Sequence, residues 1–182
     1  MPLSEKFSRL IEEDSKYRKA KEIVSMNAKE DIWLVGGQVY RNLANILYGI
    51  PIPQNTDFDF IIETQNQELV IPWPWNITRN HFGDLKIRGP NYNIDLIPLT
   101  SIHIQSIENY LKHVPLTIQS IAYNIKDRRL IGEIGMKALY DKKVEVNSYE
   151  DIVLHAKIYQ KTLTEIIEET AQSIGFTPIT RL

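Results

Sequence analysis

The sequence predicts an α+β fold: a small mixed β-sheet flanked by helices, with a helical C-terminus. Three observations carry this expectation. Short apolar runs of strand length recur through the middle of the chain, from IWLV at 32–35 to NIDLIPL at 93–99. Long helical periodicity lies at the two ends. A double glycine, Gly36-Gly37, separates the first strand-type run from a helix-type stretch.

The elements follow in order. Residues 3–26 read as one amphipathic helix, with Leu3, Phe7, Leu10, Ile11, Tyr17, Ala20 and Val24 at helical spacing. After IWLV and the glycines, VYRNLANILYG places Val39, Leu43, Ile46 and Leu47 on one helix face, with Gly49 as the stop. IPIPQNT is a loop, since its prolines continue neither element. Strand-type FDFIIE follows, then an irregular connection containing PWPW, whose Trp73 and Trp75 are expected to pin it to the core, with stacking on a base as the alternative. ITRNHFGDLKIRG reads as a hairpin turning near Gly83-Asp84. NIDLIPL is a strand and 101–112 a helix. SIAYNI and RLIGEI are short strands around KDRR, GMKALYDK a helical turn and KVEVN a strand. Residues 149–174 read as one long helix, with Ile152, Ala156, Tyr159, Leu163, Ile166, Thr170 and Ile174 in step. The whole is expected to form one domain: an N-terminal helix at 1–29, a core at 30–147 and a C-terminal helix at 148–182. That last helix packs on its own domain or, alternatively, forms a homodimer seam.

Composition excludes several function classes. The 182 residues are 43% hydrophobic and 24% charged, with a formal net charge of -2, so no global positive field draws in nucleic acid or an acidic membrane. There is no cysteine, which removes disulfides, thiolate nucleophiles and cysteine zinc sites. The four histidines show no metal-ligand spacing. No apolar run approaches the roughly 18 residues that span a bilayer, and the charged start lacks the apolar centre of a signal peptide. A cytoplasmic protein is expected, with no membrane partner.

The chemistry gathers at TDFDFIIE, residues 56–63. In a strand, Asp57 and Asp59 share one face, roughly 6–7 Å apart along the chain, while Phe58, Phe60 and Ile62 face a core. Two such carboxylates repel, and hard divalent cations such as magnesium relieve the repulsion. On that ground Asp57→Asn is expected to leave the metal-free protein as stable or slightly more so. Asp95 offers a third carboxylate in another apolar strand. If the strands are neighbours, three carboxylates converge, an arrangement that can hold two metal ions about 3.5–4 Å apart. Gly36-Gly37, between strand and helix, lets backbone amides approach an anion beside a helix N-terminus. The aspartates open their strand rather than end it, and Ile61 stands two residues after the second, which separates the pattern from haloacid-dehalogenase-type phosphatases. An EF-hand loop would need ligands that are absent. Arg79, His81, Lys86 and Arg88 around the hairpin read as a solvated polar face, with phosphate contact as the alternative.

These motifs resemble the nucleotidyltransferase superfamily of DNA polymerase beta, and more closely the head domain of CCA-adding enzymes and bacterial poly(A) polymerases. LVGGQVYRNL resembles that family's LVGGxVRDxLLG, TDFDFII its paired-aspartate motif, and NIDLIPL the strand of the third carboxylate. The stretch from PLTIQSIAYN to KVEVN resembles the family's DFTINALAYN and the hairpin and turn after it, so the likeness covers roughly residues 30–147. It implies a nucleotidyltransferase fold. A nucleoside triphosphate such as ATP would be seated by Gly36 and Gly37, with Arg41 as a further nucleotide contact. Asp57 and Asp59 would bind two magnesium ions. Asp95 would bind the catalytic one and help the attacking hydroxyl lose its proton. The acceptor, whether RNA, protein or a small molecule, is not implied. Three departures stand out. Tyr40-Arg41 replaces the family's Arg-Asp, shifted by one residue; His113-Val114-Pro115 replaces a charged triad that seats nucleotide and ribose; and the chain ends soon after the head. A tRNA-repairing role is therefore not expected of this chain alone. A non-catalytic nucleotide- or partner-binding module, as in a toxin–antitoxin or defence system, is the alternative.

Overall fold

The structure is a computed structural model that describes residues 1–54 and 56–180. Helices α1 (Leu3–Glu13) and α2 (Ser15–Asn27) replace the single helix expected over 3–26. The break falls at Asp14, which is extended and whose carboxylate accepts the Lys16 amide at 2.8 Å. The apolar stripe runs through it, since Phe7, Ile11, Tyr17, Ala20 and Val24 are all buried. A polar cap inside a periodic pattern is invisible to periodicity.

Strand β1 (Ala28–Val35) leads through Gly36 into α3 (Gly37–Tyr48), which stops at left-handed Gly49. Strand β2 (Phe58–Gln65) follows, then the hairpin β3 (Asn76–Arg79) and β4 (Leu85–Arg88), then β5 (Asn93–Pro98). Helix α4 is confined to Ile107–Lys112, shorter than the 101–112 expected. Strands β6 (Ala122–Asn124) and β7 (Arg129–Ile131), helix α5 (Glu133–Asp141) and the short β8 (Lys143–Val144) complete the middle. The C-terminal segment is two helices, α6 (Tyr149–Tyr159) and α7 (Leu163–Ser173), not one. Gln160 turns left-handed between them, and Thr162 opens α7 by a reciprocal cap with Glu165. Strand β9 (Thr177–Pro178) then pairs parallel with β8.

The main sheet has seven strands in the order β3-β4-β5-β2-β1-β6-β7. It is mixed: β2 and β5 run parallel and the other neighbours antiparallel. One face carries Leu34, Phe58, Phe60, Ile62, Ile87, Ile94 and Leu96 and packs on α1, α2 and α3. Each such side chain contributes roughly 1.5–3 kcal/mol of burial. On the other face Trp33, Val35, Ile61 and Ala122 pack against Ile107 and Leu111 of α4. Helices therefore flank both faces. Ile152, Ile167 and Ala171 of the C-terminal helices, and Ile174 just after them, are buried in this same chain. Trp75 packs edge-on against Tyr92, as a pin should, but Trp73 is 93% exposed.

Candidate active site

The register of four strands builds the site. Val35 of β1 pairs with Asp59 of β2, Asp59 with Asp95 of β5, and Asp95 with Lys86 of β4. Registered partners share a face, so one row across the sheet reads Val35, Asp59, Asp95, Lys86. Asp57 stands just before β2 and returns to the row through Lys86. The Lys86 Nζ donates to Asp57 Oδ2 at 3.1 Å and to Asp95 Oδ2 at 3.0 Å. The three predicted carboxylates are thus brought together.

Their surroundings differ. Asp57 Oδ1 accepts from the Asn93 amide and its Nδ2, each at 3.1 Å. Burial alone would raise the Asp57 pKa, but the bonds from Asn93 and Lys86 outweigh it and hold the carboxyl below its usual range. Asp95 Oδ1 accepts from Asn80 Nδ2 at 3.3 Å. The Asp59 carboxylate receives no hydrogen bond among the described residues. Burial first, then the Asp95 and Asp57 charges, push its carboxyl up to about 7, with Lys86 and Arg41 opposing.

The double glycine adjoins this row. Gly36 has a φ of 69° and a ψ of -147°, a conformation essentially reserved for glycine. A Cβ there would stand 2.5 Å from Asp59 Oδ2. Gly37 opens α3, and a Cβ on it would stand 3.1 Å from Arg41 Nη1. Arg41, one turn along α3, donates to Thr56 Oγ1 at 3.2 Å, next to Asp57 in sequence. Gly36, Gly37 and Arg41 therefore lie beside the carboxylates.

The row faces a cleft of about 740 Å³ lined by Gly36, Asp59, Asp95 and Lys86 on one side. Phe82 from the β3–β4 turn and His155 and Tyr159 from α6 also line it. Phe82 lies 4.7 Å from the His155 ring and 6.1 Å from Tyr159, centre to centre, so the rim is aromatic. Burial lowers the His155 pKa, which favours the neutral ring. His113, Val114 and Pro115 also line the cleft.

The all-oxygen donor set suits magnesium, and the gap between Asp57 and Asp95 already accommodates a cation, the Lys86 ammonium. Among the described residues no group of three or more His, Asp or Glu stands arranged to hold a metal ion. Taking one up would require Asp57 and Asp95 to release Lys86.

Sequence reasoning took Lys86 for part of a solvated polar face, whereas its side chain is only 18% exposed and bonds two carboxylates, and it missed Asn93 and Asn80. Lys86 alternates with Leu85 and Ile87, which signals a polar strand face. Only the β4–β5 register reveals that this face meets Asp95.

No protein-family model matches the sequence, and no curated protein matches it significantly. Solved structures do match. A tRNA-processing enzyme solved with CTP is 20% identical at a TM-score of 0.56, covering 90% of this chain and 42% of that one. A CCA-adding enzyme solved with CTP is 20% identical at 0.56, covering 80% and 38%. A Thermotoga maritima CCA-adding enzyme complexed with tRNA is 18% identical at 0.51, covering 87% and 43%. The chain spans about two fifths of the length of these proteins. No described helix is long and apolar enough to cross a membrane. The chain has the nucleotidyltransferase fold, which it shares with part of these tRNA-processing and CCA-adding enzymes.

Proposed function

We propose that this protein is a nucleotidyltransferase that moves a nucleoside monophosphate from a nucleoside triphosphate to an acceptor hydroxyl. The observation that carries the reading is the row Asp59, Asp95, Lys86, joined by Asp57 and abutted by Gly36, at the mouth of one cleft. The likeness to proteins solved with CTP supports a triphosphate as donor. A cytoplasmic setting agrees with that donor.

In this reading Gly36 and Gly37 leave room for the phosphates beside the start of α3, and Arg41 adds positive charge there. The aromatic rim of Phe82, His155 and Tyr159 offers faces on which a base can stack. Asp57, Asp59 and Asp95 would hold magnesium, which when bound supplies positive charge to the reacting phosphate and the departing pyrophosphate. Asp95 would accept the proton of the acceptor hydroxyl. The oxygen so freed bonds to the alpha phosphorus, and the bond to pyrophosphate breaks.

A non-catalytic binding module remains the second reading. It is favoured by Lys86, which bridges two of the three carboxylates, and by the uncharged Val114-Pro115 in the cleft. The separating experiment supplies each labelled nucleoside triphosphate with magnesium and a cell extract. Label transferred to an acceptor, and lost in Asp59→Asn, supports the transferase. Nucleotide binding by calorimetry with no transfer and no pyrophosphate release supports the binding module.

A further inference from the structure

We infer that Lys86 is a built-in place-holder for a metal ion, and that a divalent cation enters between Asp57 and Asp95 only by exchange against its ammonium. The inference rests on the metal-binding part of the reading above and not on nucleotide transfer.

The seat is built for one cation. The antiparallel register fixes Lys86 opposite Asp95, and its Nζ lies 3.0 and 3.1 Å from the two carboxylates. Its side chain is only 18% exposed and that of Asp95 only 11%. The other sides of the seat are fastened. Asn93 donates to both oxygens of Asp57, and Asn80 donates to Asp95 Oδ1. Asn80 is itself held by the Phe82 and Asp84 amides, each at 2.9 Å. This is a satisfied charge arrangement rather than a loose surface ion pair.

A magnesium ion binds carboxylate oxygens at about 2.0–2.1 Å. It cannot share Asp57 Oδ2 and Asp95 Oδ2 with an ammonium that already bonds both. The two cations would also repel at close range in a partly dry site. The lysine stem can leave, because it is flexible and borders the open cleft. Metal entry therefore swaps one positive charge for two and releases the ammonium into the space where an anionic substrate would lie. The metal-free protein keeps Asp57 and Asp95 paired to one ammonium, at the cost of weak metal binding.

The test uses the full chain and manganese alone, without nucleotide, reading free manganese by electron paramagnetic resonance. Lys86→Met should bind manganese at least about tenfold more tightly than the wild type, within the range over which neighbouring groups tune metal affinity. Equal affinity, or no binding by either protein, overturns the inference. A second measurement needs no variant. Reductive methylation of Lys86 in the wild type, followed by peptide mass spectrometry, should be slow without metal and faster with saturating manganese. An unchanged rate overturns the exchange even if Lys86→Met fails to fold. Tight manganese binding by Lys86→Met with no transfer by the wild type would sink the transferase reading alone.

Discussion

Asp57 accepts hydrogen bonds from Asn93 and Lys86, whereas Asp59, two residues on, sits against Gly36 with no donor among the described residues. Repulsion between crowded carboxylates suggests that removing Asp57 relieves strain. The bonding overturns that expectation. Asp57→Asn should destabilise the metal-free protein by about 1 kcal/mol, kept small because the side chain is 36% exposed. The strained carboxylate is Asp59, so Asp59→Asn should stabilise it. The two residues also have opposite pH signatures. Asp57 has a lowered folded pKa, so its contribution is present above about pH 4 and lost as pH falls through the folded value. Asp59 is raised to about 7, so the folded state holds an extra proton between about pH 4 and 7. Stability should therefore decline as pH rises through that window, by roughly 1–2 kcal/mol after screening by water in the cleft. Thermal melts in chelator from about pH 2 to 8 check both signs. A wild-type curve parallel to that of Asp59→Asn would contradict the assignment.

At the scale of elements, the junction of β1 and α3 is the most constrained turn near the site. Gly36→Ala meets two penalties, a positive φ and a Cβ 2.5 Å from Asp59 Oδ2. Gly83→Ala, in the β3–β4 turn, meets only the first, with nothing within 4 Å of its Cβ. Urea unfolding should show a loss of about 1 kcal/mol for Gly83→Ala and about 2–3 kcal/mol for Gly36→Ala. Equal losses would mean that the contact with Asp59 is easily relaxed. This junction was legible in the sequence because glycine pairs, strand length and helix periodicity are all local signals. The breaks at Asp14 and Gln160 were not, since the apolar stripe continues across both and only a cap or a left-handed residue interrupts the helix. The convergence of Asp57, Asp59 and Asp95 was legible only on the condition that β2 and β5 are neighbours. The pairing of Lys86 with the aspartates was out of reach for the same reason, because cross-strand register is set by tertiary pairing and not by spacing along the chain.

Over the whole molecule, charge bears on the choice of acceptor. The net charge is -2, and several cations are already engaged. Lys19, Lys21, Lys137 and Lys161 pair with nearby acids, and Lys86 is held in the carboxylate row. Near the cleft and its hairpin, Arg79 donates to the Gly83 carbonyl at 2.6 Å, and Arg88 is exposed. With Lys86 held, the hairpin itself offers Arg79 and Arg88 to a phosphate backbone. Each such contact adds nearly one unit to the slope of log affinity against log salt, so binding to RNA should show a slope no steeper than about -3. Release of Lys86 by a metal ion would add at most about one contact to that total. A salt titration with tRNA and with a single-stranded oligonucleotide, run with and without manganese, measures both quantities. Shallow slopes and weak affinity near physiological salt favour a protein or small-molecule acceptor. A much steeper slope with tight binding would instead require a basic surface assembled from residues spread over several elements, and would bring RNA forward as the acceptor.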